Sequence, residues 1–226
     1  MRLLSRITLT LILLLAAGCE RQPEPQAPAP SAEKYTGTIV AMGDSLTAGL
    51  GVAESEAYPA LLAARLAGRG LNYRVINSGI SGETSSGARE RSNWILSFKP
   101  EIVILETGAN DGLRGLDPQL TEKNLAEIVA AFQAQGVTVV LCGMEMVRNL
   151  GADYTTAFAA LYPKVARQQK VIFMPFFLQG VAGDPALNQP DGLHPTAAGY
   201  RRIVDNLLPY VLEAIKSRNN QTTPAR

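Results

Sequence analysis

The chain has 226 residues, enough for one well-packed domain and too few for two large ones. Hydrophobic residues make up 46% and charged residues 18%, a balance that excludes an intrinsically disordered chain. The 21 basic and 20 acidic residues nearly cancel and form no Lys/Arg stripe, so the charge gives no reason to expect nucleic acid as a partner.

The first residues read as an export signal. Arg2 and Arg6 open it, Leu9 to Ala17 form an apolar core, and small residues follow. Twelve residues lie between Arg6 and Cys19, well short of the roughly 20 that cross a bilayer as a helix, which argues against a retained membrane span. The end of this leader, "LLLAAGC", resembles a bacterial lipobox, with Ala16 where leucine is commoner. That resemblance implies a signal peptide over 1–18, a lipid anchor on Cys19 as the mature N-terminus and, with Glu20 following, the outer membrane. Ordinary cleavage with release to the periplasm is the alternative. Losing Arg2 and Arg6 would leave 19 basic against 20 acidic residues.

Residues 19–36 carry prolines at 23, 25, 28 and 30 and read as an extended tether, at about 3.1 Å per residue. The folded domain is expected over 37–217 and a polar, fraying tail over 218–226. With Cys19 lipidated, Cys142 has no disulfide partner, and in "VTVVLC" it reads as a buried core thiol.

From Thr38 the chain alternates. β-Branched runs at 38–42, 73–77, 101–106, 137–142 and 171–174 predict strands. Helical patterns lie near 57–69, 84–98, 119–135 and 153–169, and a last one starts near 196, where Pro209 is expected to kink or divide it. Five uninterrupted apolar strands separated by helices imply an α/β fold, a three-layer α/β/α sandwich around a five-stranded parallel sheet.

Polar segments follow the strands: "GDSLTAG", "SGISGETS", "TGANDGLRG" and, after the fifth, "NQPDGLHPTAAG". In an open parallel sheet such loops gather at the carboxyl edge, where ligands bind. His194 is the single histidine, so a nucleophilic Ser45 has no other imidazole to serve as its base. Asp191, three residues before it, is close enough to fix its tautomer. A lone histidine satisfied structurally at a helix start is the competing reading. Donors for a developing oxyanion are the Ser45 and Gly82 amides and the Asn110 side chain; a turn glycine and a loop cap are the plain alternatives for the last two. Asp44 is expected to shape the turn without transferring protons.

In order and spacing, "GDSLTAG", Gly82 in "SGETS", "GAND" and "DGLH" resemble the four blocks of the SGNH (GDSL) hydrolases, and within them the TesA-type periplasmic acyl-thioesterases, also described as lysophospholipases and arylesterases. The resemblance runs from about Ile39 to Val211, departing at Glu83, where Asp is frequent, and in the lipoprotein-like leader. It implies a flavodoxin-like SGNH fold, catalytic residues Ser45, Asp191 and His194, and an oxyanion hole of Ser45, Gly82 and Asn110. It also implies a mobile loop at "GLRGLD", with Leu113, Leu116 and residues 144–151 as candidates for lining an acyl groove. The expected activity is hydrolysis of carboxylic esters or thioesters, on small-molecule or lipid substrates, without metal or cofactor. Thr47 stands where the α/β-hydrolase elbow G-x-S-x-G has its second glycine, and no G-x-x-x-x-G-K-[ST] or G-x-G-x-x-G occurs. Two other readings are an O-acetyl-glycan esterase of the same family and a non-catalytic envelope lipoprotein that binds acyl chains.

Overall fold

The β-branched runs form strands; the three central ones are buried almost throughout, as strands covered on both faces must be, while the two edge strands keep half-buried and exposed positions such as Arg74 and Asn77. In the computed structural model, which describes residues 35–146 and 148–222, these are β1 (Gly37–Gly43), β2 (Tyr73–Gly79), β3 (Ile102–Glu106), β4 (Thr138–Cys142) and β5 (Ile172–Met174). They form one parallel sheet in the order β2-β1-β3-β4-β5. The leader, Cys19 and most of the tether lie outside the described residues, as do residues 223–226 of the tail. No helix among the described residues is long and apolar enough to cross a membrane.

Helices cover both faces. α2 (Tyr58–Ala67) and α8 (Ala197–Thr222) pack together on one side; α6 (Pro118–Ala134) and α7 (Ala152–Gln169) pair on the other, with α3 (Ser85–Glu90) and α4 (Ser92–Leu96) against α6. Two short helices, α1 (Ser45–Ala48) and α5 (Ala109–Leu113), follow β1 and β3 directly. Cys142 is fully buried in β4, where loss of water raises its thiol pKa well above the usual range.

Three local expectations change. The segment 84–98 is two helices that meet at Arg91, whose φ of −96° and ψ of 5° take it out of the helical region. Pro209 does not divide α8: Tyr200, Ile203, Val204 and Leu207 before it and Val211, Ala214 and Ile215 after it are all buried. That apolar stripe holds both halves on the core and offsets the roughly 3 kcal/mol an interior proline costs a helix. The helix also runs on to Thr222, beyond the expected end at 217, with Arg218 donating from Nη1 to the Gly136 carbonyl at 2.5 Å.

The strand order reverses between β1 and β3, and the loops leaving those two strands carry Ser45 and Asn110. Gly43 and Gly79 are register partners at the ends of β1 and β2. A Cβ on Gly43 would lie 2.1 Å from Thr47 Oγ1, and one on Gly79 would lie 2.1 Å from the Ala48 amide nitrogen. The two bare positions let α1 fold back onto the sheet edge, and this places Ser45 over it. The connection from Met174 to Ala197 brings Asp191 and His194 back from the far edge strand.

Candidate active site

Ser45 opens α1, and Asp44 caps that turn by accepting the Leu46 N–H at 3.0 Å. The other oxygen of Asp44 accepts Asn110 Nδ2–H at 3.2 Å, so one carboxyl holds both the Ser45 turn and Asn110. Asp44 is fully buried, and loss of water raises its pKa to about 6 despite the two hydrogen bonds that favour its charge.

His194 Nε2 lies 2.8 Å from Ser45 Oγ, and its Nδ1 lies 2.6 Å from Asp191 Oδ2. Asp191 Oδ1 accepts the backbone N–H of His194 at 3.0 Å and of Leu193 at 2.9 Å. These two amides, followed by the His194 ring, hold the Asp191 pKa down to about 2. An ionised carboxylate can only accept, so Nδ1 carries the imidazole proton and a neutral ring turns its Nε2 lone pair to the Ser45 hydroxyl.

Gly82 sits at φ +79°, a backbone conformation that side-chain-bearing residues rarely adopt. Its carbonyl accepts a hydrogen bond from Arg114 Nη2 at 2.7 Å. Ser45, Gly82, Asn110 and His194 all line one cavity of about 840 Å³, whose walls include Leu46, Leu50, Leu178 and Phe176. Leu113 lines this cavity and Leu116 does not; the Leu116 carbonyl accepts the Tyr154 hydroxyl at 2.7 Å instead. Of the stretch 144–151, Met144, Glu145 and Met146 face the cavity. Among the described residues no group of three or more His, Cys, Asp or Glu side chains is arranged to hold a metal ion.

Several supporting residues belong to no motif in the sequence. Glu106 closes β3, fully buried, and accepts the Thr47 hydroxyl at 2.7 Å; burial and then the nearby Asp44 push its pKa well above the usual carboxylate range. An acidic residue ending the run "EIVILE" was the available signal. Asp111, next to Asn110, accepts the Ser85 amide at 2.7 Å and the Ser85 hydroxyl at 2.5 Å, which ties the loop after β3 to the helix that follows Gly82. Gln189 donates from Nε2 to the Leu50 carbonyl at 2.7 Å and the Pro195 carbonyl at 2.9 Å, joining the loop after α1 to the loop that carries His194.

Residues 41–202 match the GDSL-like Lipase/Acylhydrolase family. The chain is 42% identical to Esterase TesA of Pseudomonas aeruginosa over 76% of its own length and 86% of that protein's. It is 37% identical to Thioesterase 1/protease 1/lysophospholipase L1 of Escherichia coli (strain K12), over 74% of this chain and 80% of the other. A crystal structure of TesA superposes with a TM-score of 0.76 at 41% identity, covering 78% of this chain and 99% of that one. The parallel α/β fold, the order of the blocks and these similarities agree: the chain belongs to the GDSL-like lipase/acylhydrolase family and is a serine ester hydrolase.

Proposed function

We propose that Ser45 is the nucleophile, His194 the base and Asp191 its orienter in an enzyme that cleaves carboxylic esters or thioesters through an acyl-enzyme. The observation that carries this reading is the relay from Ser45 Oγ to His194 Nε2 at 2.8 Å and from His194 Nδ1 to Asp191 Oδ2 at 2.6 Å, opening on the cavity that Gly82 and Asn110 also line.

His194 takes the Ser45 proton as Oγ attacks the acyl carbon, and the imidazolium that results is stabilised by ionised Asp191. Negative charge builds on the carbonyl oxygen, where the Ser45 N–H, the Gly82 N–H and the Asn110 N–H not given to Asp44 serve as donors. Collapse breaks the bond to the leaving alcohol or thiol, which receives the proton from His194 and leaves Ser45 acylated. Water, deprotonated by the same imidazole, then attacks the acyl carbon; Ser45 recovers its proton and the acid is released.

The substrate class follows from the walls. A groove bounded by Leu50, Leu113, Met144 and Phe176 suits an acyl chain longer than acetyl, at about 0.8 kcal/mol for each methylene buried. This favours acyl esters, thioesters or lysophospholipids over acetylated glycans, and the E. coli relative's name covers the thioester and lysophospholipid activities. The leader and the tether support export to the bacterial envelope with a lipid anchor on Cys19.

A fluorophosphonate probe, with the modified residue located by mass spectrometry, tests competence and nucleophile together. Labelling at Ser45 and its loss in Ser45→Ala, with ester hydrolysis reduced by several orders of magnitude, is the expected result. Hydrolysis within about tenfold of the parent in a folded Ser45→Ala protein overturns the assignment. Radiolabelled palmitate incorporated in cells by the parent and not by Cys19→Ser tests the anchor separately.

A further inference from the structure

Where the chain between α3 and α4 leaves the helical region, Arg91 turns its guanidinium beneath the ends of β1 and β2. Its Nη1 donates to Ser78 Oγ at 2.8 Å. One N–H of Nη2 is shared between the Ser78 carbonyl at 2.9 Å and the Gly43 carbonyl at 3.2 Å. Nε and Nη2 meet the two carboxylate oxygens of Glu83 at 2.7 and 2.6 Å. The ion pair is withdrawn from water, with side-chain exposures of 13% for Arg91 and 8% for Glu83.

The partners matter because of what lies beside them. Gly43 is two residues before Ser45, and Glu83 directly follows Gly82. The Gly43 carbonyl also accepts the Ile80 amide at 2.9 Å, and the Ile80 carbonyl accepts the Glu83 amide at 3.0 Å, so the Gly82 turn is laced to the end of β1. A single planar cation therefore spans the points at which the two backbone oxyanion donors leave the sheet. Lysine cannot substitute for it: an ammonium has three donors on one atom and no fixed fork.

We propose that Arg91, with Glu83, is a positioning residue of the oxyanion hole, fixing the distance between the Ser45 and Gly82 amides and acting on the transition state without touching substrate. This rests on the reading of Ser45 and Gly82 given above. An amide displaced by a few tenths of an ångström still lets substrate bind, but it donates poorly to the oxyanion, so the effect belongs in kcat and not in KM.

The test compares parent, Arg91→Lys and Glu83→Gln on a p-nitrophenyl ester. Active sites are counted by exhaustive fluorophosphonate titration, so that rates are given per competent Ser45 and unfolded molecules drop out. The expected result is a fall in kcat per titrated site of about 30-fold or more in Arg91→Lys and about tenfold in Glu83→Gln, with KM within threefold. The double variant should be no worse than Arg91→Lys alone, because both changes break one device. A kcat per titrated site within threefold of the parent in either variant, or a loss confined to KM or to the number of titratable sites, overturns the proposal. If Arg91→Lys fails to fold, Glu83→Gln decides by the same threshold. A parent that hydrolyses no ester or is not labelled at Ser45 fails the underlying reading instead, and that result is seen before any variant is made.

Discussion

Ser45 Oγ and His194 Nε2 stand 2.8 Å apart although 149 positions separate the two residues in the chain. No local propensity produces such a pair; it comes from the return of the Met174–Ala197 connection across the carboxyl edge of the sheet. Asp191 sets the ring that completes it. Asp191→Asn leaves a side chain of the same shape that no longer stabilises an imidazolium and whose amide can hold the wrong tautomer. The fall in kcat is expected to lie between about 10²- and 10⁴-fold, with little change in the thermal midpoint, because the half-exposed asparagine keeps an Oδ1 acceptor for the Leu193 and His194 amides. Steady-state kinetics alongside a thermal melt checks both halves.

Much of this was legible in the chain itself. Five apolar runs named the parallel sheet, and a single histidine three residues after Asp191 pointed to the pair that the fold sets beside Ser45. The supporting residues were not legible, for a physical reason. Arg91 lies in a stretch whose pattern reads as one helix, and only the break there turns its side chain inward. Glu106 looks like the polar end of a strand until the sheet order buries it between β1 and β4. Gln189 acts through carbonyls at Leu50 and Pro195, and a backbone acceptor has no letter in a sequence. Leu116, half-buried, lies outside the cavity that Leu113 lines only three positions away, a difference that the spacing of the two leucines does not reveal.

The raised pKa of Asp44 makes a statement about pH. Its folded value of about 6 exceeds the ordinary 3.8, so the folded state holds the proton more tightly than the unfolded chain. The stability that Asp44 contributes is therefore complete below about pH 4 and is lost as pH rises through 6. Glu106, raised in the same sense from its ordinary 4.5, adds a second decline that begins near pH 4.5 and extends to higher pH. Asp44→Asn, which cannot ionise, should make the decline in the urea midpoint between pH 4 and 6 shallower, leaving the part that Glu106 contributes. It should also lower kcat about tenfold or more, since Asn110 loses the carboxylate that orients its amide. Urea melts at half-unit pH steps, on parent and variant, provide the check.

Gln189 offers a cleaner separation of catalysis from folding. Its amide joins the Leu50 carbonyl on the Ser45 side to the Pro195 carbonyl on the His194 side, at 2.7 and 2.9 Å. Gln189→Ala removes both bonds at a half-buried position, at a cost to stability of about 1–2 kcal/mol. The larger expected effect is on the Ser45–His194 approach, with kcat falling about tenfold while KM holds. Fluorophosphonate labelling should slow in the same proportion, because that reaction uses the same serine and base. A fall in kcat with no slowing of labelling would place the effect on deacylation and not on the approach of the two side chains.

The cavity wall makes the last prediction, and it concerns substrate length. Leu113 is 43% exposed and lines the groove with Leu50, Met144 and Phe176. Leu113→Asp sets a charge on that wall. An octanoyl ester would then lose the apolar contact of several methylenes and meet a carboxylate that must be desolvated. An acetyl ester, whose chain ends beside Ser45, loses neither. The ratio of kcat/KM for p-nitrophenyl octanoate over acetate should fall about tenfold or more, with the acetate value within about twofold of the parent. An equal loss on both esters would mean that Leu113 supports the loop carrying Asn110 and does not contact the acyl chain. An unchanged ratio would put the acyl chain on a part of the lining away from Leu113, such as Leu178 or Ala182.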